Sequence, residues 1–473
     1  MRKLITVVFL SFCSAFALAD SDHPVTQYLD QHGSEYIDVA MAIWDKAELG
    51  YLETESSALL RSTLAQQGFD IEPGVADIPT AFIATYGSGK PVIAILAEFD
   101  ALPGISQSAS PVREIMSDKS SGHACGHHLF GAGSAAAAVA VKQWMEANNI
   151  SGTLRLYGTP AEEGGSGKVY MVRAGLFDDV DVALHWHPGD RNAANPSTSL
   201  ANRSAKFRFS GVSAHAAAAP ERGRSALDGV EAMNYMVNLM REHVPQETRI
   251  HYVITSGGSA PNVVPDFAEV YYYVRHPKAE VLSGIWDRVI STAQGAAQGT
   301  GTQLEYEVIH GNHSLLPNEA LAGAMHANLT KVGGVQYNAD EQRFAKKISA
   351  TLGLREDRFG EEKLIQPLVM SGGMGSTDVG DVSWVVPTTG LSTATWVPGT
   401  SAHSWQAIAA GGTSIGGKGL IVAAKTLALT IVDLLQDPKL VEASRTEMEQ
   451  RRGEGFVYEA LLGDRAPPLD YRL

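Results

Sequence analysis

The sequence predicts an α/β fold with two domains: a larger one with a mixed, mostly parallel sheet flanked by helices, and a smaller inserted α+β domain. Through residues 20–200, apolar strands alternate with helix-like segments, an order typical of a parallel sheet covered by helices. From about residue 201 the order becomes strand, helix, strand, strand, helix, strand, which is the ferredoxin-like arrangement. We therefore expect one domain from residues 20–200 and 312–473, and an inserted domain from residues 201–311.

Apolar spacing predicts each element of the larger domain. The strand at 91–97 contains the run VIAILA, which indicates burial on both faces of a sheet. The other predicted strands lie at 80–86, 154–158 and 181–186. Predicted helices lie at 24–46, 53–67, 129–147, 166–175, 317–332 and 415–436. The stretch 334–345 and the last 20 residues are polar, and we expect the latter to cover the surface.

The inserted domain is predicted from a change of pattern. Residues 205–211 alternate between apolar and polar side chains, as in a strand with one buried face. Helices are predicted at 221–242 and 278–298, and further strands at 251–255, 268–275 and 303–309.

The N-terminal residues 1–19 have the pattern of a secretory signal peptide. Arg2 and Lys3 precede an apolar run that ends in the small-residue sequence Ala17-Leu18-Ala19. The alternative is an uncleaved anchor, but the run is short for a membrane span. We therefore expect a secreted, periplasmic protein. Cleavage removes Cys13 and leaves one cysteine, Cys125.

Composition excludes several functional classes. Apolar residues form 44% of the chain and charged residues 19%, which excludes a disordered protein. The net charge is −15, so the chain has no net field that attracts nucleic acid or an anionic membrane. We expect no nucleic-acid partner, and no membrane association after signal cleavage.

The strongest chemical signal is the sequence Gly-His-Ala-Cys-Gly-His-His at residues 122–128. Cys125 and His127 are two residues apart, so both can serve one metal site from a turn. A metal would also explain a single cysteine in a secreted protein, because it binds the thiolate. The alternatives are a buried thiol with incidental histidines, or a thiol nucleophile. His123 and His128 are predicted to be structural or to support the ligands.

Three further motifs follow predicted strands or loops of the larger domain. Glu162 and Glu163 come just after the strand ending at 158, where one carboxylate can bind metal while its neighbour moves protons. His185 and His187 lie at the end of the next strand, and one of them is a plausible ligand. His403 lies in a glycine-rich loop and matters only if the fold brings it to the cluster.

The inserted domain contributes three candidates for binding an anion. His215 lies among small residues, Asn262 lies in the turn PNVVP, and Arg275 ends a predicted strand. Together a histidine, an asparagine and an arginine can hold a carboxylate or a developing oxyanion. Each also has an ordinary interpretation as a loop residue whose polar groups are satisfied locally.

The order of these motifs along the chain resembles that of the metal-dependent amidohydrolase family. The motifs are HACGH, PAEEGG, a strand-end histidine, HAA, PNVVP and GT-x-x-H. That family includes aminoacylases, hippurate hydrolases, auxin-conjugate hydrolases and related carboxypeptidases, and the resemblance covers residues 25–435. Finer features, among them AEFDALPG at 97–104 and STDVGDVSW at 376–384, resemble the branch of p-aminobenzoyl-glutamate hydrolase B subunits.

The resemblance implies two divalent metal ions, Mn²⁺ or Zn²⁺, in the larger domain. It places general base catalysis at Glu162 and an orienting carboxylate at Asp100, and substrate binding at His215, Asn262 and Arg275. We also expect His215 to act in catalysis, by stabilising the oxyanion. The implied metal ligands are Cys125, His127, Glu163, His187 and His403. The smaller domain usually forms a homodimer interface in this family, and His215 can then serve the partner's active site. A homologous second subunit is another partner that the branch suggests. One departure is His128, where the family commonly has aspartate.

The expected function is metal-dependent hydrolysis of the amide bond of N-acyl or N-aroyl amino acids, with p-aminobenzoyl-glutamate as the first candidate. The alternatives are a dipeptidase, an aminoacylase, or a hydrolase of hippurate-type or indole-acetyl-type conjugates. From other classes, a non-catalytic binding subunit and a thiol-dependent hydrolase that uses Cys125 with His127 stay open.

Overall fold

The structure is a computed structural model that describes residues 22–356 and 358–473. The predicted signal peptide at 1–19 lies outside the described residues. The strands are β1 (Asp70–Pro73), β2 (Phe82–Ser88), β3 (Val92–Ala97), β4 (Leu102–Pro103), β5 (Ser121–Gly122), β6 (Gly152–Gly158), β7 (Val182–Gly189), β8 (Ser197–Thr198), β9 (Ala201–Ser210), β10 (Arg249–Ser256), β11 (Phe267–His276), β12 (Gln303–Asn312), β13 (Ser371–Gly372) and β14 (Thr388–Ala394). The helices are α1 (Pro24–Lys46), α2 (Thr54–Gln66), α3 (His127–Asn148), α4 (Gly167–Arg173), α5 (Ala226–Met240), α6 (Ala279–Thr300), α7 (Glu319–Val332), α8 (Ala339–Ser349), α9 (Val379–Val385), α10 (Trp405–Gly411), α11 (Ser414–Gln436) and α12 (Pro438–Arg452).

A six-stranded sheet forms the centre of the larger part of the chain. Its strand order is β1-β2-β6-β3-β7-β14. The pairs β6–β3, β3–β7 and β7–β14 are parallel, whereas β1–β2 and β2–β6 are antiparallel. The expected mixed, mostly parallel sheet is confirmed.

Helices cover this sheet because its central strands are apolar on both faces. Every residue of β3 is buried, as the run VIAILA predicts. The small residues of α3 allow close packing, and this helix is buried over most of its length. Within the described residues, α11 alone is long and apolar enough to cross a bilayer, but most of it is buried in the protein, as in a core helix.

A second, four-stranded sheet is formed by the middle of the chain. Its order is β10-β11-β9-β12, and all of its neighbouring pairs are antiparallel. The element order β9-α5-β10-β11-α6-β12 is the one that the sequence predicts. Helices α5 and α6 bury their apolar residues against this sheet in a hydrophobic core separate from that of the larger sheet.

Three features of the structure differ from the sequence-based expectation. Helix α8 overlaps the polar stretch 334–345, for which the sequence predicts no helix, and helix α12 follows the predicted last helix. Strands β1 and β14 add a fifth and a sixth strand at the two edges of the larger sheet, for which the sequence predicts four strands. The polar C-terminal residues do not only cover the surface, because Arg472 lines the main cavity.

Candidate metal centre and catalytic cleft

The parallel strands bring the predicted motifs to one edge of the larger sheet. Strands β6, β3 and β7 are neighbours that run in the same direction, so their carboxyl ends meet there. Ligand clefts in open α/β sheets form at this edge. The residues carried there are Glu98 and Asp100 after β3, Glu162 and Glu163 after β6, and His185 and His187 at the end of β7.

The turn before α3 aims Cys125 and His127 at this edge. Gly126 between them has a left-handed φ of 81°, which favours glycine. A Cβ atom at Gly126 would also lie 2.6 Å from Pro188 Cβ. The loop after β14 joins the same turn, because the His403 amide donates to the Ala124 carbonyl at 2.9 Å. Backbone geometry therefore brings His403 to the cluster.

Asp100 links two of the predicted ligands. His127 Nδ1 donates to Asp100 Oδ1 at 2.8 Å, and the amide of Glu163 donates to Asp100 Oδ2 at 2.9 Å. His187 is fixed in a similar way, since its Nδ1 donates to the Pro188 carbonyl at 2.7 Å. In both imidazoles the hydrogen bond at Nδ1 leaves Nε2 available for a metal.

The potential metal-binding atoms of these side chains form overlapping groups, each compact enough to bind one metal ion. Two groups contain only predicted ligands, and each has all its donor atoms within 4.8 Å of one another: Cys125, His127 and His187, and Cys125, Glu163 and His403. Cys125 is common to both groups. A third group joins Glu98, His127 and Glu162.

Three of these buried donor atoms have no hydrogen-bond partner: His127 Nε2, Glu98 Oε2 and Glu163 Oε1. Glu98 Oε2 lies 3.1 Å from His127 Nε2, and His403 Nε2 lies 3.2 Å from Glu163 Oε1. Buried polar atoms without partners are costly unless an ion or water satisfies them. Thiolate, imidazole and carboxylate donors together suit divalent transition metals. The residues present therefore fit a metal centre.

Burial and neighbouring charges together raise the pKa values of Cys125, Glu162 and His127. Burial raises the pKa of the Cys125 thiol and of the Glu162 carboxyl, and the nearby Glu98 and Glu163 charges raise the pKa of Glu162 further. Burial favours neutral His127, but Cys125, Asp100 and Glu98 outweigh it and raise the pKa of this imidazole. A carboxyl with a raised pKa can accept and return a proton at neutral pH.

A cavity of about 880 Å³ lies over the cluster. Strand β11 belongs to the four-stranded sheet and contributes Arg275, so both sheets contribute to the cavity. The predicted ligand His127 and its partner Asp100 are buried beneath the lining. Six of the ten predicted site residues line the cavity: Cys125, Glu162, Glu163, His187, Arg275 and His403.

His215 and Asn262 are not brought to this cavity. Both are exposed, and they lie beside each other because the Ala216 amide donates to the Asn262 carbonyl at 3.0 Å. His215 Nδ1 accepts from the amides of Ala217 and Ala218. Within one described chain, they therefore form a separate surface pair.

The other histidines of the motifs have distinct surroundings. His123 donates to the Ile43 carbonyl at 3.1 Å and His128 to the Gly411 carbonyl at 3.2 Å. Burial lowers the pKa of His123 to about 3 and that of His128 well below its usual value, so both are neutral. His185 lines the cavity but belongs to none of the donor groups among the described residues, which favours His187 as the ligand from β7.

A buried charge network next to the cluster has no counterpart among the sequence-based predictions. Lys168 is completely buried, and its Nζ lies 2.7 Å from Glu98 Oε1 and 2.7 Å from Asp378 Oδ1. The Lys168 amide also donates to Asp378 Oδ2 at 2.9 Å. Burial raises the pKa of Asp378 to about 6 although Lys168 opposes the shift. The sequence offers no signal for this contact, since Lys168 and Asp378 are 210 residues apart.

Comparison with known proteins supports the same conclusion as this geometry. The family model described as "Peptidase family M20/M25/M40" matches residues 94–407. The chain belongs to this family. It is 42% identical to the p-aminobenzoyl-glutamate hydrolase B subunit of Escherichia coli (strain K12), over 88% of this chain and 92% of that protein. It is 29% identical to the Xaa-Arg dipeptidase of Mus musculus, over 87% of this chain and 88% of that protein.

A solved structure shares the fold. The YXEP protein of Bacillus subtilis, described as a dinuclear metal binding peptidase from the M20 family, superposes with a TM-score of 0.56 at 19% identity, covering 86% of this chain and 99% of that one. The family resemblance drawn from the motifs is thus confirmed. As an M20 member with these relatives, the chain is a hydrolase that acts on amide bonds.

Proposed function

We propose that the chain hydrolyses the amide bond of N-acyl and N-aroyl amino acids in this cavity, with p-aminobenzoyl-glutamate as the preferred substrate. The observation that carries the proposal is that Glu162, Arg275 and four of the five proposed metal donors line one cavity of about 880 Å³, with the fifth donor, His127, beneath its lining. The substrate assignment is supported by the 42% identity to the Escherichia coli hydrolase subunit.

Two divalent ions, Mn²⁺ or Zn²⁺, are proposed to bind between Cys125, His127, Glu163, His187 and His403. When bound, such ions lower the pKa of water and polarise a carbonyl group. Asp100 accepts a hydrogen bond from His127 Nδ1, which fixes the ring and leaves Nε2 free to bind a metal ion. The name of the Bacillus subtilis structure, a dinuclear metal binding peptidase, supports the metal count.

Glu162 is proposed to move the protons of the reaction. Its raised pKa suits a carboxylate that accepts a proton from the attacking water and then delivers it to the leaving amine. Arg275 is proposed to bind the α-carboxylate of the amino-acid half, since a guanidinium can hold a carboxylate with two parallel hydrogen bonds. Closure of the four-stranded unit, as a lid over the larger sheet, is proposed to exclude water.

His215 and Asn262 are proposed to act in the cleft of a partner subunit of a homodimer. Their exposure away from their own cavity supports this role. Mixing Glu162→Gln and His215→Ala homodimers provides the test. If His215 acts in the partner's site, mixed dimers hold one intact site, and subunit exchange restores about a quarter of wild-type activity. No recovery despite exchange, shown by mass spectrometry, contradicts the role.

Secretion to the periplasm and cleavage after Ala19 are also proposed, on the basis of the signal pattern. Amino-terminal sequencing of protein from the periplasmic fraction tests both. A homologous second subunit is proposed as an alternative partner, supported by the description of the Escherichia coli relative as one subunit of its enzyme.

The substrate assignment is tested with metal-loaded protein and a panel of amides. The panel contains p-aminobenzoyl-glutamate, hippurate, N-acetyl amino acids, an indole-acetyl amino acid and dipeptides. We expect the highest kcat/KM for p-aminobenzoyl-glutamate. A higher value for another member reassigns the substrate, and absence of release from every member contradicts the proposed function.

A further inference from the structure

The end of the chain places an additional arginine in the catalytic cavity. Arg465 anchors the C-terminal segment to the four-stranded sheet, where it pairs with Glu307 at 2.8 Å. Tyr471 anchors the segment to the loop that follows β6 in the larger sheet, because its hydroxyl donates to the Glu163 carbonyl at 3.1 Å. Arg472 also donates to this carbonyl, and its side chain lines the cavity. The tail therefore holds a cation at a fixed place beside the metal donors.

Arg275 and Arg472 are the two arginines that line the cavity in the described part of the chain. Neither forms an ion pair with a carboxylate there, and the Nε atom of each is buried without a hydrogen-bond partner. Arg275 lies over the Tyr273 ring at 5.4 Å, and Arg472 lies over the Tyr471 ring at 4.7 Å. Half-buried guanidinium groups that make no direct ion pair with a carboxylate favour an anionic ligand.

Arg472 and Tyr273 both lie next to Gly164. The Arg472 Nη2 atom and the Tyr273 hydroxyl each lie 3.8 Å from the position that a Cβ atom of Gly164 would take. Tyr273 also carries Arg275 on its ring face, so both arginines border the same region of the cavity. A ligand in this region with one carboxylate can neutralise one guanidinium, whereas a ligand with two carboxylates can neutralise both.

We propose that Arg472 binds the side-chain carboxylate of the released amino acid, and so selects dicarboxylic amino acids such as glutamate and aspartate. The inference rests on the proposed function, in which Arg275 takes the α-carboxylate. The same pair of arginines disfavours substrates with a cationic side chain by like-charge repulsion.

The test compares p-aminobenzoyl-L-glutamate with the neutral, nearly isosteric p-aminobenzoyl-L-glutamine. We expect Arg472→Gln to lower kcat/KM for the glutamate substrate roughly 10- to 100-fold, mostly through KM, from the loss of a charge-assisted hydrogen bond. The glutamine substrate should change by less than about threefold, because it has no charge for Arg472 to bind. Arg472→Lys keeps the charge and should retain part of the preference.

Tyr471→Phe is the matched control. It removes a hydrogen bond to the same Glu163 carbonyl without removing a charge, so it should leave the glutamate-to-glutamine ratio unchanged. If Arg472→Gln lowers kcat/KM equally for both substrates, Arg472 only positions the loop that contains Glu163, and the proposal is overturned. The proposal is also overturned if Arg472→Gln changes neither kcat/KM value nor the ratio between the two substrates.

Calorimetric titration separates this proposal from the proposed function. Wild-type protein should bind L-glutamate more tightly than L-glutamine, and Arg472→Gln should abolish the difference. That result supports binding of the side-chain carboxylate by Arg472 even if the enzyme hydrolyses neither amide. Equal binding of both amino acids by the wild type overturns it, whatever the enzyme hydrolyses.

Discussion

Replacement of Lys168 by methionine is expected to destabilise the protein strongly. Lys168 is completely buried, and its ammonium group is 2.7 Å from a carboxylate oxygen of both Glu98 and Asp378. Methionine has a similar length but no charge, so it fills the space and leaves two buried carboxylates without their cation. Removal of one partner from a buried ion pair costs about 3–5 kcal/mol, and we expect Lys168→Met to fall in this range.

The assay is urea denaturation followed by tryptophan fluorescence, with the free energy of unfolding extrapolated to water. Lys425→Met is the matched control, since Lys425 pairs with the mostly exposed Asp30 and should lose less than about 1 kcal/mol. Adding Asp378→Asn to Lys168→Met should recover at least about 1 kcal/mol, because one of the uncompensated charges disappears. Equal stabilities of Lys168→Met and Lys425→Met would refute the assignment of Lys168 as the cation that compensates both buried carboxylates.

Three further changes test the geometry of the cleft. Glu162→Gln should lower kcat about 10²- to 10⁴-fold while two metal ions stay bound, as measured by turnover and elemental analysis; a rate near that of the wild type would exclude Glu162 as the proton carrier. Asp100→Asn should weaken metal binding roughly 10- to 100-fold, because it disturbs the partner of His127 Nδ1, and competition with a fluorescent chelator measures this loss. Gly126→Ala should cost about 1–3 kcal/mol in urea denaturation because of its left-handed φ of 81° and the contact with Pro188. The control Gly284→Ala, which meets no atom within 4 Å inside α6, should be neutral or stabilising, and equal losses for both glycines would contradict the argument.

Much of the fold could be predicted because its buried elements carry strong apolar patterns. The run VIAILA indicates β3, and the alanine-rich stretch after His127 indicates α3. Strand β14 could not be predicted, because its sequence TTGLSTA is rich in Thr and Ser and lacks an apolar run. Helix α12 is a polar surface helix, so apolar periodicity indicates it weakly. Helix α8 is also polar in composition, but it packs Ala345 and Ile348 into an apolar cluster, a stripe too short to stand out in a polar segment.

The cluster of candidate metal donors could be predicted because its residues lie in short motifs, most of them at strand ends. Contacts between distant polar residues leave no such mark. Lys168 and Asp378 are 210 residues apart in the sequence, and a lone lysine near the start of a predicted helix usually indicates a solvated side chain. Arg472 is the penultimate residue of a polar tail, a position where order is not expected from sequence. Its place in the cavity depends on the anchoring by Arg465 and Tyr471.

The most direct test of the metal-dependent mechanism is hydrolysis of p-aminobenzoyl-L-glutamate by one preparation of protein before and after metal removal. After dialysis against a chelator, we predict no release of glutamate, and addition of Mn²⁺ or Zn²⁺ should restore release with about two ions bound per chain. Turnover that persists without metal and is abolished by alkylation of Cys125 would contradict this mechanism and establish the thiol mechanism instead.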